Sequence, residues 1–470
     1  MAKKIEEGEL VELNSPFSRV YACPETDYVM NCAIGLKHSI DLDALKAAIS
    51  SSLMIRHPRF HSLLVTDHRG RHHWKNVPLN IDDHLVIRHH HPTAAEDDEK
   101  AINAYLSDLA MSPMSKDKPL WELQVLVGLK CVILRVHHSV GDGLSVMTML
   151  TACFGQKRVN GFVDHQPKKQ KHFWEKGVWS MMKTIWLSLV FGARLGARNL
   201  WVKDEETAIS GGDAVDLWPR KLVTIKFKLE DMQSIKKAIP KATANDVLLG
   251  LISCGLSRYL NAQSPKGLRD GMQITAIVPV NLRQDSKSQL MSDDQEISPL
   301  GKENYASAWT NKIGLILFPI YYSEGDVHPL QHVRRAKKIM DQKKQTFEAQ
   351  ISEKLLSLIT SCLGAKVGSW ICGRTLSNTT LIISNIMGPQ EEISIAGNPV
   401  TFIRLNLSSM PQAITLHMVS YAGRADLQVM VAKDIIHDPE FLANCFENSF
   451  LEMKKSVMSS SEVQVRKKYY

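Results

Sequence analysis

Residues 137–143 read His-His-Ser-Val-Gly-Asp-Gly, and no other stretch constrains the fold of this chain as tightly. An apolar run, 131–136, leads in, and a second, 144–154, leads out. The first is short and rich in branched residues, which predicts a buried strand. The second places Leu144, Met147, Leu150 and Phe154 at the spacing of one helix face. Gly141 and Gly143 allow a sharp turn between them. Strand, tight turn and helix can hold an imidazole fixed at the edge of a cavity.

The chain has 470 residues, enough for a large core and two or three domains. Hydrophobic residues make up 44% and charged residues 23%, the balance of a folded globular chain. A net charge of +8 is too mild at this length to indicate nucleic-acid binding. It would suit an anionic membrane surface or a CoA phosphate, but on charge alone a solvated basic surface is the favoured reading. Eight cysteines are scattered without Cys-x-x-Cys spacing, which points to reduced thiols and a cytosolic setting. The first residues are too acidic and charged for a signal peptide, and the C-terminus carries no retention or lipidation signal.

A strand is predicted over 27–36, then a helix capped by Asp41 or Asp43 that stops before Pro58. The stretch 57–91 is rich in histidine, including His72-His73 and His89-His90-His91. Adjacent histidines do not face one another as ligands must, so no metal site is expected. A helix is predicted over 96–111, and a hairpin over 120–136 with Trp121 in its core. Residues 156–216 differ: a basic approach precedes an apolar, tryptophan-bearing segment at 178–200. With Lys183 and Arg194 inside it, the segment is marginal as a membrane span. A helix lying in the headgroup region fits better, and a core helix at a domain junction is the alternative. Beyond it, Thr243 or Asn245 caps a strong helix, and strands and helices alternate to a closing helix at 439–455.

Further motifs accompany the histidine pair: Pro119-Leu120-Trp121-Glu122, Asn245-Asp246-Val247, Pro279-Val280-Asn281-Leu282-Arg283, and Ser384-Asn385-Ile386-Met387-Gly388-Pro389. In this order they resemble the plant-type wax ester synthase/diacylglycerol acyltransferase family, part of the HHxxxDG superfamily of CoA-dependent acyltransferases. The resemblance runs from about residue 15 to the final helix. It implies an α+β fold of two chloramphenicol-acetyltransferase-like domains, mixed sheets flanked by helices, with the active site in a channel between them. The domains expected are 1–155, carrying the motif, a crossover at 156–216, and 217–470.

The implied reaction is O-acyl transfer from long-chain acyl-CoA to a fatty alcohol or diacylglycerol, giving wax ester or triacylglycerol. A hydroxyl must lose its proton as it attacks, and an imidazole titrating near neutrality suits that task. No Gly-x-Ser-x-Gly elbow occurs, so a serine nucleophile and an acyl-enzyme have no support. By resemblance His138 is the general base and His137 a positioning group. Asp142 makes a structural ion pair with Arg283 as candidate partner, and Gly143 permits the turn and close substrate approach. Asn245 and Asp246 support the site or merely cap a helix, and Asn281 and Asn385 are further polar groups near the channel. No metal and no cofactor are expected beyond acyl-CoA as substrate, and no nucleic acid as partner. The family also implies a membrane surface or a single membrane helix at 178–200. Expected localisation is the endoplasmic reticulum and/or cell membrane, with the catalytic part facing the cytosol.

Two other readings compete. A BAHD-type transferase for a non-lipid alcohol would carry a DFGWG motif, which is absent. A non-catalytic lipid-binding protein would have no need of an intact His138, Asp142 and Gly143. One departure from the family is Thr310 before Asn311, where plant relatives commonly have glycine.

Overall fold

The structure, a computed structural model, describes residues 10–13, 15–89, 97–155, 178–211, 218–264, 268–283, 311–325, 327–408 and 410–466. The basic approach at 157–176, Trp174, His90, His91, the polar loop expected at 285–304 and Thr310 lie outside these residues.

The first half supplies strands β1 (Leu10–Glu12), β2 (Val29–Leu36), β3 (Ser62–Thr66), β4 (His72–Asn76), β5 (Leu85–Arg88), β6 (Trp121–Leu126) and β7 (Cys131–His137). The second supplies β8 (Arg220–Lys228), β9 (Gln273–Asn281), β10 (Ile313–Tyr321), β11 (Leu381–Met387), β12 (Ser394–Ile395), β13 (Asn398–Leu407), β14 (Ile414–Tyr421) and β15 (Arg424–Ala432). Two six-stranded mixed sheets result, in the orders β12-β13-β2-β7-β6-β5 and β10-β9-β11-β14-β15-β8. Every residue of β2, β6 and β7 is buried, which explains why β7 reads as an unbroken apolar run rather than an alternating one.

Sheet membership does not follow the expected boundary at 217. β12 and β13 lie in the second half of the sequence, yet β13 pairs antiparallel with β2 and extends the first sheet. The hairpin of β6 and β7 pairs Trp121 with Val136 and Leu126 with Cys131, and Lys130 turns it at φ 50. Trp121 is fully buried, its Nε1 donating to the Phe60 carbonyl at 2.8 Å.

The histidine-rich stretch supplies β3 and β4, which form a small sheet with β1, and the parallel edge strand β5, neither of which the sequence pattern predicts. Its histidines have protein partners: His73 with Asp67, His61 with Asn76, and His84 stacked on Trp121 with ring centroids 4.1 Å apart.

Asp41 caps the helix Leu42–Ser50, and Thr243 caps Ala244–Gln263 in a reciprocal capping box with Asp246. The apolar stretch after 347 is two helices, Glu348–Cys362 and Ala365–Ser377, broken at Gly364 with φ 90. That angle is open to glycine and strained for other residues. Val178–Leu200 is one helix packed against both. No helix among the described residues is long and apolar enough to cross a membrane. The spanning reading of 178–200 is thereby corrected. Its apolar residues are divided, with Phe191 buried in the protein while Trp179, Met182, Trp186 and Leu189 face outward.

Candidate active site

β7 ends at His137, and the chain turns where the two halves meet. His138 is buried there, and each of its main-chain groups is fixed from a different element. Its N–H donates to the Tyr28 carbonyl at 2.8 Å, and its carbonyl accepts from Asn311 Nδ2 at 2.7 Å. Its ring lies against that of Tyr21, centroids 4.2 Å apart. Asn311 opens the approach to β10 and also donates to Ser18 Oγ at 2.9 Å, while its own carbonyl accepts from Ser15 Oγ at 2.7 Å. Residues nearly 300 positions apart thus clamp the motif.

Burial pushes the His138 imidazole down to about 4, against the opposing Asp142 charge. It is therefore neutral at pH 7, with a lone pair to accept a proton. No side chain meets its Nδ1 with hydrogen-bond geometry.

His137 is held differently. Its Nδ1 accepts from the Ser139 N–H at 3.2 Å and lies 2.7 Å from Ser139 Oγ, so its proton sits on Nε2. Nε2 donates to Asp27 Oδ1 at 2.6 Å, and Lys116 Nζ lies 3.0 Å from the other oxygen of Asp27. Burial works to raise the Asp27 carboxyl, but His137 and Lys116 together hold it below its ordinary value. With both nitrogens engaged, His137 has the contacts of a positioning group.

Asp142 caps the helix Gly143–Phe154, its Oδ1 accepting from Ser145 N at 2.9 Å and Ser145 Oγ at 3.0 Å. Its Oδ2 accepts from Arg283 Nη2 at 2.8 Å, and both side chains are only 6% exposed. Arg59 Nη1 donates to the Val140 carbonyl at 2.6 Å, pinning the turn from below. Gly143 answers to close packing: a Cβ there would come within 2.7 Å of Ile386 Cδ1 on β11. The group that approaches it is thus the other half of the protein.

The structure brings His137, His138, Asp142, Gly143 and Arg283 together. Of the remaining candidates, Asn281 reaches this group through Arg283, while Asn245 and Asp246 are engaged at the start of the Ala244–Gln263 helix. Asp246 is spent on the Thr243 cap, with its Oδ2 accepting from Thr243 N at 2.7 Å. Asn245 Oδ1 accepts from Asn385 Nδ2 at 2.6 Å, and Asn281 Oδ1 accepts from Arg283 N at 3.0 Å. Tyr21, Asp27 and Arg59 are not singled out by the sequence, each being one polar or aromatic residue far from the motif with no spacing to mark it, and Asn311 is marked there only as the residue after Thr310.

A neutral, fixed imidazole at the meeting of two domains can take a proton from an attacking hydroxyl and return it to a leaving group. Among the described residues no cluster of His, Cys, Asp or Glu is arranged to hold a metal ion.

Comparison with known proteins agrees with this architecture. Residues 34–183 match the family model described as the wax ester synthase/diacylglycerol acyltransferase catalytic domain, and residues 309–454 match its C-terminal domain. The chain is 31% identical to wax ester synthase/diacylglycerol acyltransferase 5 of Arabidopsis thaliana, over 98% of this chain and 96% of that one. With wax ester synthase/diacylglycerol acyltransferase 10 of the same plant the identity is 32%, covering 98% and 99%. Among solved structures, a wax ester synthase/diacylglycerol acyltransferase from Marinobacter aquaeolei VT8 superposes with a TM-score of 0.60. It is 16% identical and covers 95% of this chain and 99% of that one. The first condensation domain of the calcium-dependent antibiotic synthetase reaches 0.58 at 13% identity, covering 96% and 97%, so the fold reaches beyond the family.

Proposed function

Because the chain belongs to the wax ester synthase/diacylglycerol acyltransferase family and is an acyltransferase, we propose that it moves a long-chain acyl group from acyl-CoA to a fatty alcohol or to diacylglycerol, with His138 as general base. The observation that carries this reading is the buried, neutral His138, locked at Tyr28, Asn311 and Tyr21 and backed by the Asp142–Arg283 pair.

In this reading the acceptor hydroxyl gives its proton to His138 as its oxygen attacks the thioester carbonyl. Collapse of the tetrahedral adduct releases the CoA thiolate, which takes that proton back. No covalent acyl-enzyme forms, and no cofactor takes part. The Asp142–Arg283 pair keeps the turn in shape without touching substrate.

The reading extends to a lipid surface. Trp179, Met182, Trp186 and Leu189 recur at helical spacing along the outward face of Val178–Leu200 and are more than half exposed. Leu358 and Trp370, on the two helices it packs against, and Leu363, just after the first of them, are exposed as well. Exposed Lys354, Lys366 and Arg194 occur on the same three helices. Aromatic and aliphatic side chains accompanied by cations suit an interface with anionic headgroups. The protein then lies on the cytosolic face of the endoplasmic reticulum or cell membrane, where acyl-CoA and a membrane-dissolved acceptor meet.

Membranes expressing wild type or His138→Ala at equal levels, given labelled palmitoyl-CoA with a long-chain alcohol or diacylglycerol, test the proposal. Ester formed by wild type alone supports it, and the acceptor used separates wax ester from triacylglycerol synthesis. Equal activity in both proteins refutes His138 as base. Product only from a soluble aromatic alcohol refutes the lipid assignment.

A further inference from the structure

Acyl transfer puts negative charge on the thioester oxygen, and a donor fixed in advance at that point stabilises the transition state. Three side-chain donors around His138 are already engaged. His137 Nε2 is held by Asp27, the Ser139 hydroxyl by His137, and Asn311 Nδ2 by His138 and Ser18.

Across the junction, β14 carries His417 at its centre. Alternate residues of a strand share a face. On β14, Ile414, Leu416 and Met418 pack into the core of the second half, whereas Val419 and Tyr421 pack into the core that includes the motif strand β7. His417 belongs to the latter face, which looks toward the histidine motif. Its register partner on β11 is Ser384, and two residues further along β11 the Ile386 side chain abuts Gly143. His417 is buried, and its Nδ1 has no hydrogen-bond partner. The Thr415 hydroxyl, on the same face of the strand, is likewise buried without a partner. Leaving a buried polar group unpaired is costly, and two on one face beside a candidate active site mark a place where a polar ligand atom belongs.

We propose that His417 donates a hydrogen bond to the oxyanion of the tetrahedral adduct formed when the acceptor attacks acyl-CoA opposite His138. The inference rests on the acyl-transfer reading above and deepens it. Attack makes the new C–O bond and moves the carbonyl π electrons onto oxygen, while the hydroxyl proton passes to His138. His417 holds that oxygen. Collapse restores the carbonyl, breaks the C–S bond and returns the proton from His138 to the thiolate. Burial holds the His417 imidazole down to about 4, with His138 lowering it further. Like His138 it is therefore neutral at pH 7, so its N–H can donate to the oxyanion.

The test compares wild type, His417→Leu and His417→Gln in the same assay, with thermal melting to verify folding. Leu restores packing without a donor, and Gln restores a neutral donor. The expected result is a kcat lower by about 100- to 1,000-fold in His417→Leu, the range seen on removing one oxyanion donor. KM for acyl-CoA should stay within about threefold, and His417→Gln should recover at least about tenfold of kcat. A folded His417→Leu enzyme with near-wild-type kcat overturns the inference, as does a folded His417→Gln no better than Leu. Wild type inactive on every acceptor instead overturns the acyl-transfer reading, and this inference with it.

Discussion

A base in water and a base in a protein interior differ by the cost of charging it. Burial raises that cost for His138 and pushes its imidazole down to about 4, so the free enzyme holds it unprotonated far into acid. With acyl-CoA and alcohol, the acid limb of kcat/KM should fall well below pH 6 rather than at the ordinary histidine value near 6.5. A limb near 6.5 would contradict the burial. The Asp142–Arg283 pair makes a separate prediction. Removing one member of a buried pair strands the other and costs roughly 3–5 kcal/mol. Asp142→Ala and Arg283→Ala should each lower the urea midpoint accordingly, and the double variant should lose less than their sum. Additive losses would show that the two do not act as a pair. The sequence displays both residues inside motifs, but their contact spans 141 positions. Tyr21 and His417 have no local signature, because what singles them out is the ring or strand face that folding places beside them.

Elements carry the next level. Local pattern is strong where a helix announces its own start, as with Thr243 and Asp246, whose capping box is written within four residues. It is weak where an apolar stretch has two partners. Val178–Leu200 buries Phe191 against the protein and turns two tryptophans outward, a division that summed hydropathy does not contain. Trp179→Ala combined with Trp186→Ala should reduce cosedimentation with vesicles containing phosphatidylserine, while the melting temperature stays within a few degrees. Unchanged binding would refute this helix as the docking face. β3 and β4 are weak in the sequence for a related reason: β3 is a five-residue run, Ser62–Thr66, and β4 opens on two histidines, and pairing with each other and with β1 made them a sheet.

At the scale of the molecule, the halves are tied by polar contacts at their junction. Arg404 on β13 meets Asp426 on β15 at 2.9 Å and Glu99 at 3.1 Å, and Asn31, Asn406 and Gln428 hydrogen-bond in series across the two sheets. Several buried histidines share the fate of His138. Burial lowers His57 to about 3, and His332 and His417 to about 4. Their unfolded value lies near 6.5. Between those values the unfolded chain binds more protons than the folded one, so stability is full above pH 6.5 and declines as pH falls toward 4. Urea midpoints should be level from pH 8 to 7 and drop steadily from 6 to 4. A rise on acidification would refute the assignment. The sequence by itself determined the strand, turn and helix around His138, the α+β character and the family, because periodicity, glycine turns and motif order are local properties of the chain. Only the tertiary structure decided that β13 completes the first sheet, that Asn311 and Tyr21 hold His138 in place, and that His417 lies on the strand face turned toward the motif. Those outcomes depend on which distant surfaces exclude water from one another, and no local pattern encodes that.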